Sequence, residues 1–296
     1  MTTTIVIPQP ELFSWTECLW FLNRGFDDCM YKISGNTVRR AFDIGSEKIL
    51  VEISHTGNEL IIDHLTGEPS PKAAAHISKF VTDWFDLDTD LAPFYQLLAN
   101  HQTVADMHPL YHGLHLVAMP DLFEAIVWGI LGQQINLTFA YKLKRRLVEQ
   151  YGATLAFEGE TYYIFPSPGV LKNADAGDLR ELQLSGSKAA YLINIAQYFA
   201  DGSLSRETLL ALPDFQSRQK YLTNIKGIGT WTANYVLMKS LGERACIPYG
   251  DAGLLNALVD RQLITHKQDK AAFDAFFESF KGWEAYMVFY LWRSLA

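Results

Sequence analysis

Cysteine is scarce in this 296-residue chain: Cys18, Cys29 and Cys246 are scattered, with no C-x-x-C pair among them. That argues against a disulfide framework and against a thiolate cluster site, and points to reduced thiols in a cytoplasmic protein. Long apolar runs are also missing, so no segment reaches membrane-spanning length. The opening stretch "MTTTIVIPQPELFSW" has neither the basic nor the apolar segment of a secretory signal. An excess of basic residues is lacking as well: 25 Lys and Arg face 33 Asp and Glu, a formal net charge of −8. A protein that coats nucleic acid by charge alone is therefore disfavoured, although one that grips a few phosphates through backbone N–H groups is not. There is no G-x-S-x-G elbow, no glycine-rich Walker loop, no repeat of fixed period and no low-complexity tract. What is present is a globular composition, 49% hydrophobic and 20% charged, in a chain long enough for two or three domains.

The chain changes character near residue 90. Between Cys29 and Leu65 apolar and polar residues alternate, punctuated by S-G-N, G-S-E and T-G-N, which predicts three or four antiparallel strands joined by hairpins. A helix is expected at about 14–24 and another at 70–86, where Ser70 suits the N-cap and Pro71 the first helical position. Beyond Leu91 the period-two pattern almost vanishes. Apolar residues recur at helical spacing in 92–100, 121–132, 137–150, 186–200, 214–224, 231–241, 252–261, 269–280 and 283–294. The fold class is thus α+β: an antiparallel sheet with helices, followed by an all-helical body.

Four clusters of residues bear on chemistry. In "YLTNIKGIGTWTANYVLMKSLG" (221–242) two helices are joined by Gly227-Ile228-Gly229. One glycine suffices for a helix C-terminal turn; a second removes a side chain where the next helix presents unpaired N–H groups, which suits an anion. The plainer reading is a tight turn with Ile228 plugging the core. In "CIPYGDAGLLNAL" (246–258) Asp251 sits where a helix begins, which fits an ordinary N-cap and equally a carboxylate lining the same cleft as the hairpin. Trp231 and Tyr235 lie one turn apart and Trp292 lies on the last helix; such aromatics are more often core, but the first turn beside an anion site is a poor place for a core anchor. Finally, His108, His112 and His115 have metal-ligand spacing, but Pro109 and Gly113 interrupt them and no acid lies among them, so a solvated loop is expected.

"IKGIGTWTANYV" followed by "IPYGDAGL", with "DLFEAIVWGILGQQINLTFAYKLKRRLVEQYG" (121–152) upstream, resembles the 3-methyladenine DNA glycosylase II branch of the helix–hairpin–helix DNA glycosylases. The resemblance is specific from 121 to 258 and looser before residue 90. It implies a first domain like half of a TATA-binding protein (1–91), a helical domain made of 92–120 and 237–296 that carries the catalytic Asp, and a helical domain of 121–236 that carries the hairpin. It further implies a monomer acting on double-stranded DNA with damaged bases, and no membrane partner.

Residue by residue, the resemblance assigns Asp251 as the catalytic aspartate. Trp231, Tyr235 and Trp292 become walls of the base pocket, joined by Phe21, for which Leu19 competes. Gly227, Gly229 and Thr232 become DNA-backbone contacts. The carbonyls of Thr223, Ile225 and Gly227 become holders of a structural Na or K ion. Gln134 falls at the wedge that fills the gap left by a flipped base, where an apolar side chain would prop the stack better. The chain departs from the family at Gly250, where a second acid is common.

The lyase subclass carries a Lys just after the second glycine; here that residue is Trp231, and Lys226 lies on the wrong side of the glycines. The cysteine ligands of the iron–sulfur relatives are absent. The resemblance therefore implies a monofunctional hydrolase of base excision repair, with no catalytic cofactor and no cluster. Lys142, Lys144, Arg145 and Arg146 either assist DNA binding or form a solvated helix face. The lesion range stays open among 3-methyladenine, 7-methylguanine, hypoxanthine and ethenoadenine. The alternative is a non-catalytic helix–hairpin–helix module that only holds DNA, in which Asp251 is a cap and the aromatics are core. Convergence of Asp251 and the three rings on one cleft separates the two.

Overall fold

The computed structural model describes residues 4–295. Strands β1 (Thr4–Pro8), β2 (Lys32–Ser34), β3 (Thr37–Ile44), β4 (Glu47–Thr56) and β5 (Glu59–His64) form one antiparallel sheet in the order β1-β5-β4-β3-β2. The expected hairpins are β2 to β5. β1 is an additional edge strand, paired Ile7 to Leu60, that a count of alternation between Cys29 and Leu65 could not include. Helix α1 (Trp15–Leu22) starts at Ser14, and α2 (Pro71–Trp84) starts with Ser70 accepting the Ala73 N–H at 3.2 Å. Both pack into the core beside the sheet, with Phe42 edge-on to Phe80 and Trp15 edge-on to Phe85.

The remaining helices are α3 (Ala92–Asn100), α4 (Met107–Leu110), α5 (Leu122–Leu131), α6 (Leu137–Tyr151), α7 (Pro168–Leu171), α8 (Ala176–Glu181), α9 (Gly186–Ala200), α10 (Arg206–Leu210), α11 (Phe215–Thr223), α12 (Thr230–Leu241), α13 (Ala252–Asp260), α14 (Lys270–Glu278) and α15 (Glu284–Arg293). Every segment with helical spacing is a helix. The all-helical expectation beyond Leu91 needs one correction, the hairpin of β6 (Ala153–Phe157) and β7 (Glu160–Ile164). Its five-residue arms give too little alternation to stand out, and its turn, Glu158-Gly159, takes the two positive φ values (51° and 78°) of a tight two-residue hairpin. The hairpin docks on the first sheet: Tyr162 and Ile164 pack on Ala41 and Leu50, and Arg39 pairs with Glu158 at 3.2 Å.

Helix α5 is the axis of the body, with all of its residues buried, Glu124 included. A buried carboxylate persists only with partners. Arg40 on β3 and Lys144 on α6 each reach Glu124 at 2.9 Å, and Lys144 also reaches Asp28 at 3.0 Å. Burial by itself pushes the Glu124 carboxyl up, but Lys144 and Arg40 outweigh it and bring it down to about 2. For Lys144 this corrects both readings of the basic run on α6. Lys144 is 1% exposed and shares Glu124 with Arg40, the pair that ties the sheet to α5; Arg145 pairs with Asp27, Arg146 donates to Gln183, and Lys142 is exposed.

Candidate active site

The hairpin between α11 and α12 contains two glycines with different reasons to be glycine. Gly227 has φ 102°, and a Cβ there would lie 2.5 Å from Cγ of Tyr191 on α9, so backbone and space both require it. Ile228 is 4% exposed and does plug the core. Gly229 is exposed, has φ −85°, and a Cβ on it would meet nothing within 4 Å. Nothing in the fold demands glycine there. It is the N-cap of α12, and it leaves the helix without the side-chain oxygen that caps α11 and α13. The first-turn N–H groups of Thr230, Trp231 and Thr232 therefore end α12 without the carbonyl partners of a helix interior, beside an open surface.

The turn from α5 to α6 braces this hairpin through a residue the sequence reading missed. Gln133 Nε2 donates to the Gly227 carbonyl at 2.9 Å and to Thr232 Oγ1 at 3.1 Å. Thr232 is 2% exposed, and its methyl faces Gly129, where an added Cβ would be 2.8 Å away. Its side chain is thus turned inward, and what it can offer a phosphate is its N–H alone. Gln134 is exposed next to Gln133, with φ 58° in the left-handed region, an uncommon conformation for a residue with a side chain. The carbonyls of Ile225 and Gly227 already accept from the Ile228 N–H (3.0 Å) and from Gln133 (2.9 Å), yet each carbonyl keeps a second lone pair. Carbonyl oxygens are donors of the kind a hard cation takes.

Asp251 joins α13 to this corner. Its Oδ1 accepts the Leu254 N–H at 2.7 Å, so it is the N-cap of α13. The same oxygen accepts Trp292 Nε1 at 3.0 Å, and Oδ2 accepts Trp231 Nε1 at 3.2 Å. Trp231 stacks on Tyr235, with centroids 5.4 Å apart and planes 19° apart, and Tyr235 lies 6.3 Å from Trp292. Asp251 and all three rings are half-buried. They therefore meet in one place with a face to solvent, although Asp251 and Trp292 are 41 residues apart. Two glycines flank the acid for different reasons. Gly250 has φ 82°, so the second acid of the family pattern would be strained here, and a Cβ on Gly253 would come within 3.3 Å of Asp251 Oδ1.

Tyr235 also lines a neighbouring cavity together with Phe21, Arg24, Trp128, Tyr141 and Lys239. Phe21 takes this position, whereas Leu19 is buried in the core at 8% exposure. Trp128, unmarked in the sequence, fixes the Tyr235 ring by donating Nε1 to its hydroxyl at 3.0 Å. Burial raises the Tyr235 phenol above its ordinary range, so it stays neutral. The histidine segment is not a solvated loop throughout. His115 is fully buried, with its ring nitrogens 2.9 Å from the carbonyls of Asp86 and Leu12, while His108 and His112 flank Tyr95. Among the described residues no cluster of His, Cys, Asp or Glu could hold a metal ion.

An open hairpin terminus, an acid held by two indoles and a stacked aromatic wall define a class. Residues 127–281 match the family described as HhH-GPD superfamily base excision DNA repair protein, and residues 26–126 match the N-terminal domain of 8-oxoguanine DNA glycosylase. The chain belongs to the HhH-GPD superfamily and is a DNA glycosylase of base excision repair. It is 37% identical to the DNA-3-methyladenine glycosylase of Bacillus subtilis over 98% of its own length and 97% of the relative's. Its fold is that of the 3-methyladenine DNA-glycosylase from Archaeoglobus fulgidus (TM-score 0.82, 22% identity, 97% of both chains). The 8-oxoguanine glycosylase/lyase of Clostridium acetobutylicum shares it too (TM-score 0.74, 18% identity, 98% of this chain and 96% of the other).

Proposed function

We propose that this glycosylase flips cationic N3- or N7-alkylated purines out of double-stranded DNA and excises them by hydrolysis, leaving an intact abasic strand. The observation that carries the reading is the meeting of the Asp251 carboxylate with the indoles of Trp231 and Trp292 and the ring of Tyr235. A module that merely held DNA would have no use for a half-exposed acid clamped by two indole N–H groups.

The hairpin would bind first, with the N–H groups that follow Gly229 meeting a phosphate and Gln134 wedging into the stack. The carbonyls of Thr223, Ile225 and Gly227 would hold a monovalent cation that adds positive charge beside that phosphate. A flipped base costs a few kcal/mol, least when it is damaged. An alkylated purine is a cation, attracted by roughly 0.5–2 kcal/mol to each aromatic face it meets. The C1′–N bond then breaks with its electron pair moving onto the base, which neutralises the base's charge and leaves a positive, oxocarbenium-like sugar. Asp251 would stabilise that charge. A carboxylate has about four acceptor sites, and three are taken by Leu254, Trp292 and Trp231. The remaining one, on Oδ2, is free for the sugar or for the water that adds to C1′ and gives up its proton.

Trp231 in place of the lyase lysine supports hydrolysis without an imine. The test is incubation with methylated duplex DNA and identification of what is released. Free 3-methyladenine or 7-methylguanine over an unbroken strand is the expected result. Release of uncharged oxidised purines alone, or of no base, refutes the reading.

A further inference from the structure

Most of the turn from α5 to α6 is tied down by its own side chains. Gln133 donates to the Gly227 carbonyl at 2.9 Å and to Thr232 Oγ1 at 3.1 Å, which holds the turn against the hairpin. Ile135 packs on the core. Asn136 accepts the Phe139 N–H at 2.9 Å, so α6 starts with a side-chain cap and does not offer phosphate the open N-terminus that α12 does. Gln134 is left facing outward, and it is polar. The next residue along, Leu137, opens α6 and is 48% exposed. Its spacing from Ala140, Lys144 and Leu147 puts it on the face of α6 that is buried further along, yet at this end the body leaves it half uncovered. Helical side chains lean toward the N-terminus of their own helix. Leu137 has no earlier turn of α6 beneath it, so it leans back over the turn that carries Gln134.

Flipping a nucleotide opens the stack and bares the apolar faces of the bases beside the gap. Apolar side chains such as Leu prop an opened base step, and an amide prefers water or a hydrogen-bonding partner to a base face. We propose that Leu137 is a DNA-contacting residue that supplies the apolar part of the wedge: Gln134 enters the gap, and Leu137 covers the bared base faces beside it. The contact exists only where the stack is open, because an intact duplex buries those faces in its own stacking. Leu137 therefore favours DNA with a missing or flipped base over undamaged DNA, whatever the sequence. The inference rests on the reading above, in which the hairpin holds the backbone and the α5–α6 turn enters the stack.

The experiment compares the parent with Leu137→Ala and with Leu137→Met, which keeps an apolar side chain of similar reach. Fluorescence anisotropy at one salt concentration gives the affinity of each for a duplex with a tetrahydrofuran abasic site and for the same duplex undamaged. Leu137→Ala is expected to bind the abasic duplex about threefold to tenfold more weakly, the factor that covering the exposed half of a leucine supplies, and the undamaged duplex as the parent does. Leu137→Met should bind both within about twofold of the parent. Unchanged binding of the abasic duplex by Leu137→Ala overturns the proposal. An equal loss on both duplexes overturns it too, since Leu137 would then be a general surface contact or a residue needed for folding, which the melting curves record. A methionine variant as weak as the alanine one shows that the contact is not apolar and refutes the wedge. Gly229→Asp, run alongside, keeps the two readings apart: it should weaken both duplexes alike. If it binds like the parent, the phosphate role of the hairpin fails, while the comparison of Leu137→Ala on the two duplexes still decides this proposal.

Discussion

Replacing Asp251 by Asn separates its two duties. Asn is among the preferred N-cap residues, and its carbonyl oxygen can keep both the Leu254 N–H and the Trp292 indole that Oδ1 now accepts. Its amide nitrogen would then face Trp231 Nε1, which now lies 3.2 Å from Oδ2, and that hydrogen bond is lost. Trp231 is half-buried and can turn its N–H to water, so the loss is about 1 kcal/mol, roughly 2–4 °C in melting temperature. The chemical loss is larger. A carboxylate about 4 Å from a positive sugar, at an effective dielectric of about 20, contributes about 4 kcal/mol, which is roughly a thousandfold in rate. A hundredfold, about 2.7 kcal/mol, is the floor. The assay is single-turnover release of 7-methylguanine from methylated duplex, with affinity for abasic-site DNA and the melting curve measured alongside. Slower release with nearly unchanged affinity and stability is expected. A folded variant that loses less than tenfold in rate removes Asp251 from the chemistry and revives the reading of a plain helix cap.

Gly229→Asp should fold normally, since a Cβ there meets nothing and aspartate suits an N-cap, yet weaken binding to every duplex alike; abasic-site binding equal to the parent's would sink the phosphate role. Borohydride added during turnover should trap no protein–DNA cross-link, and the product strand should break only in alkali; a trapped band that disappears in Lys226→Ala would establish an imine and refute hydrolysis. Glu124→Gln leaves Arg40 and Lys144 partly uncompensated in the core and should cost about 3–5 kcal/mol in denaturant unfolding. Because the folded Glu124 carboxyl lies near 2 against an ordinary 4.5, its stabilisation is complete above pH 4.5 and is lost as pH falls towards 2. Parent unfolding free energy should fall across that window more steeply than the variant's; parallel curves would contradict the pairing.

The sequence by itself determined the local structure. Ser14, Ser70, Asp121 and Asn136 cap their helices because a side-chain oxygen three residues ahead of a free N–H acts within one turn. Apolar spacing marked the longer helices for the same reason, that a face is set by neighbours along the chain. The two hairpin glycines and Asp251 were also legible, as residues whose positions beside helix ends are unusual or chemically apt. Only the tertiary structure decided what the side chains met. The β6–β7 hairpin is held by a sheet more than 100 residues earlier in the chain, through contacts such as Arg39 with Glu158. The basic run on α6 looked solvated until Asp28 and Glu124 closed on Lys144, and His115 looked exposed until two distant carbonyls buried it. Gln133 and Trp128 carry no local signal at all, because bracing Gly227 and fixing Tyr235 depend on α5 packing against α12. The clamp of Trp231 and Trp292 on one carboxylate belongs with these: hydrogen bonds and ring contacts act over a few ångströms of space, and packing alone brings α12, α13 and α15 within that distance.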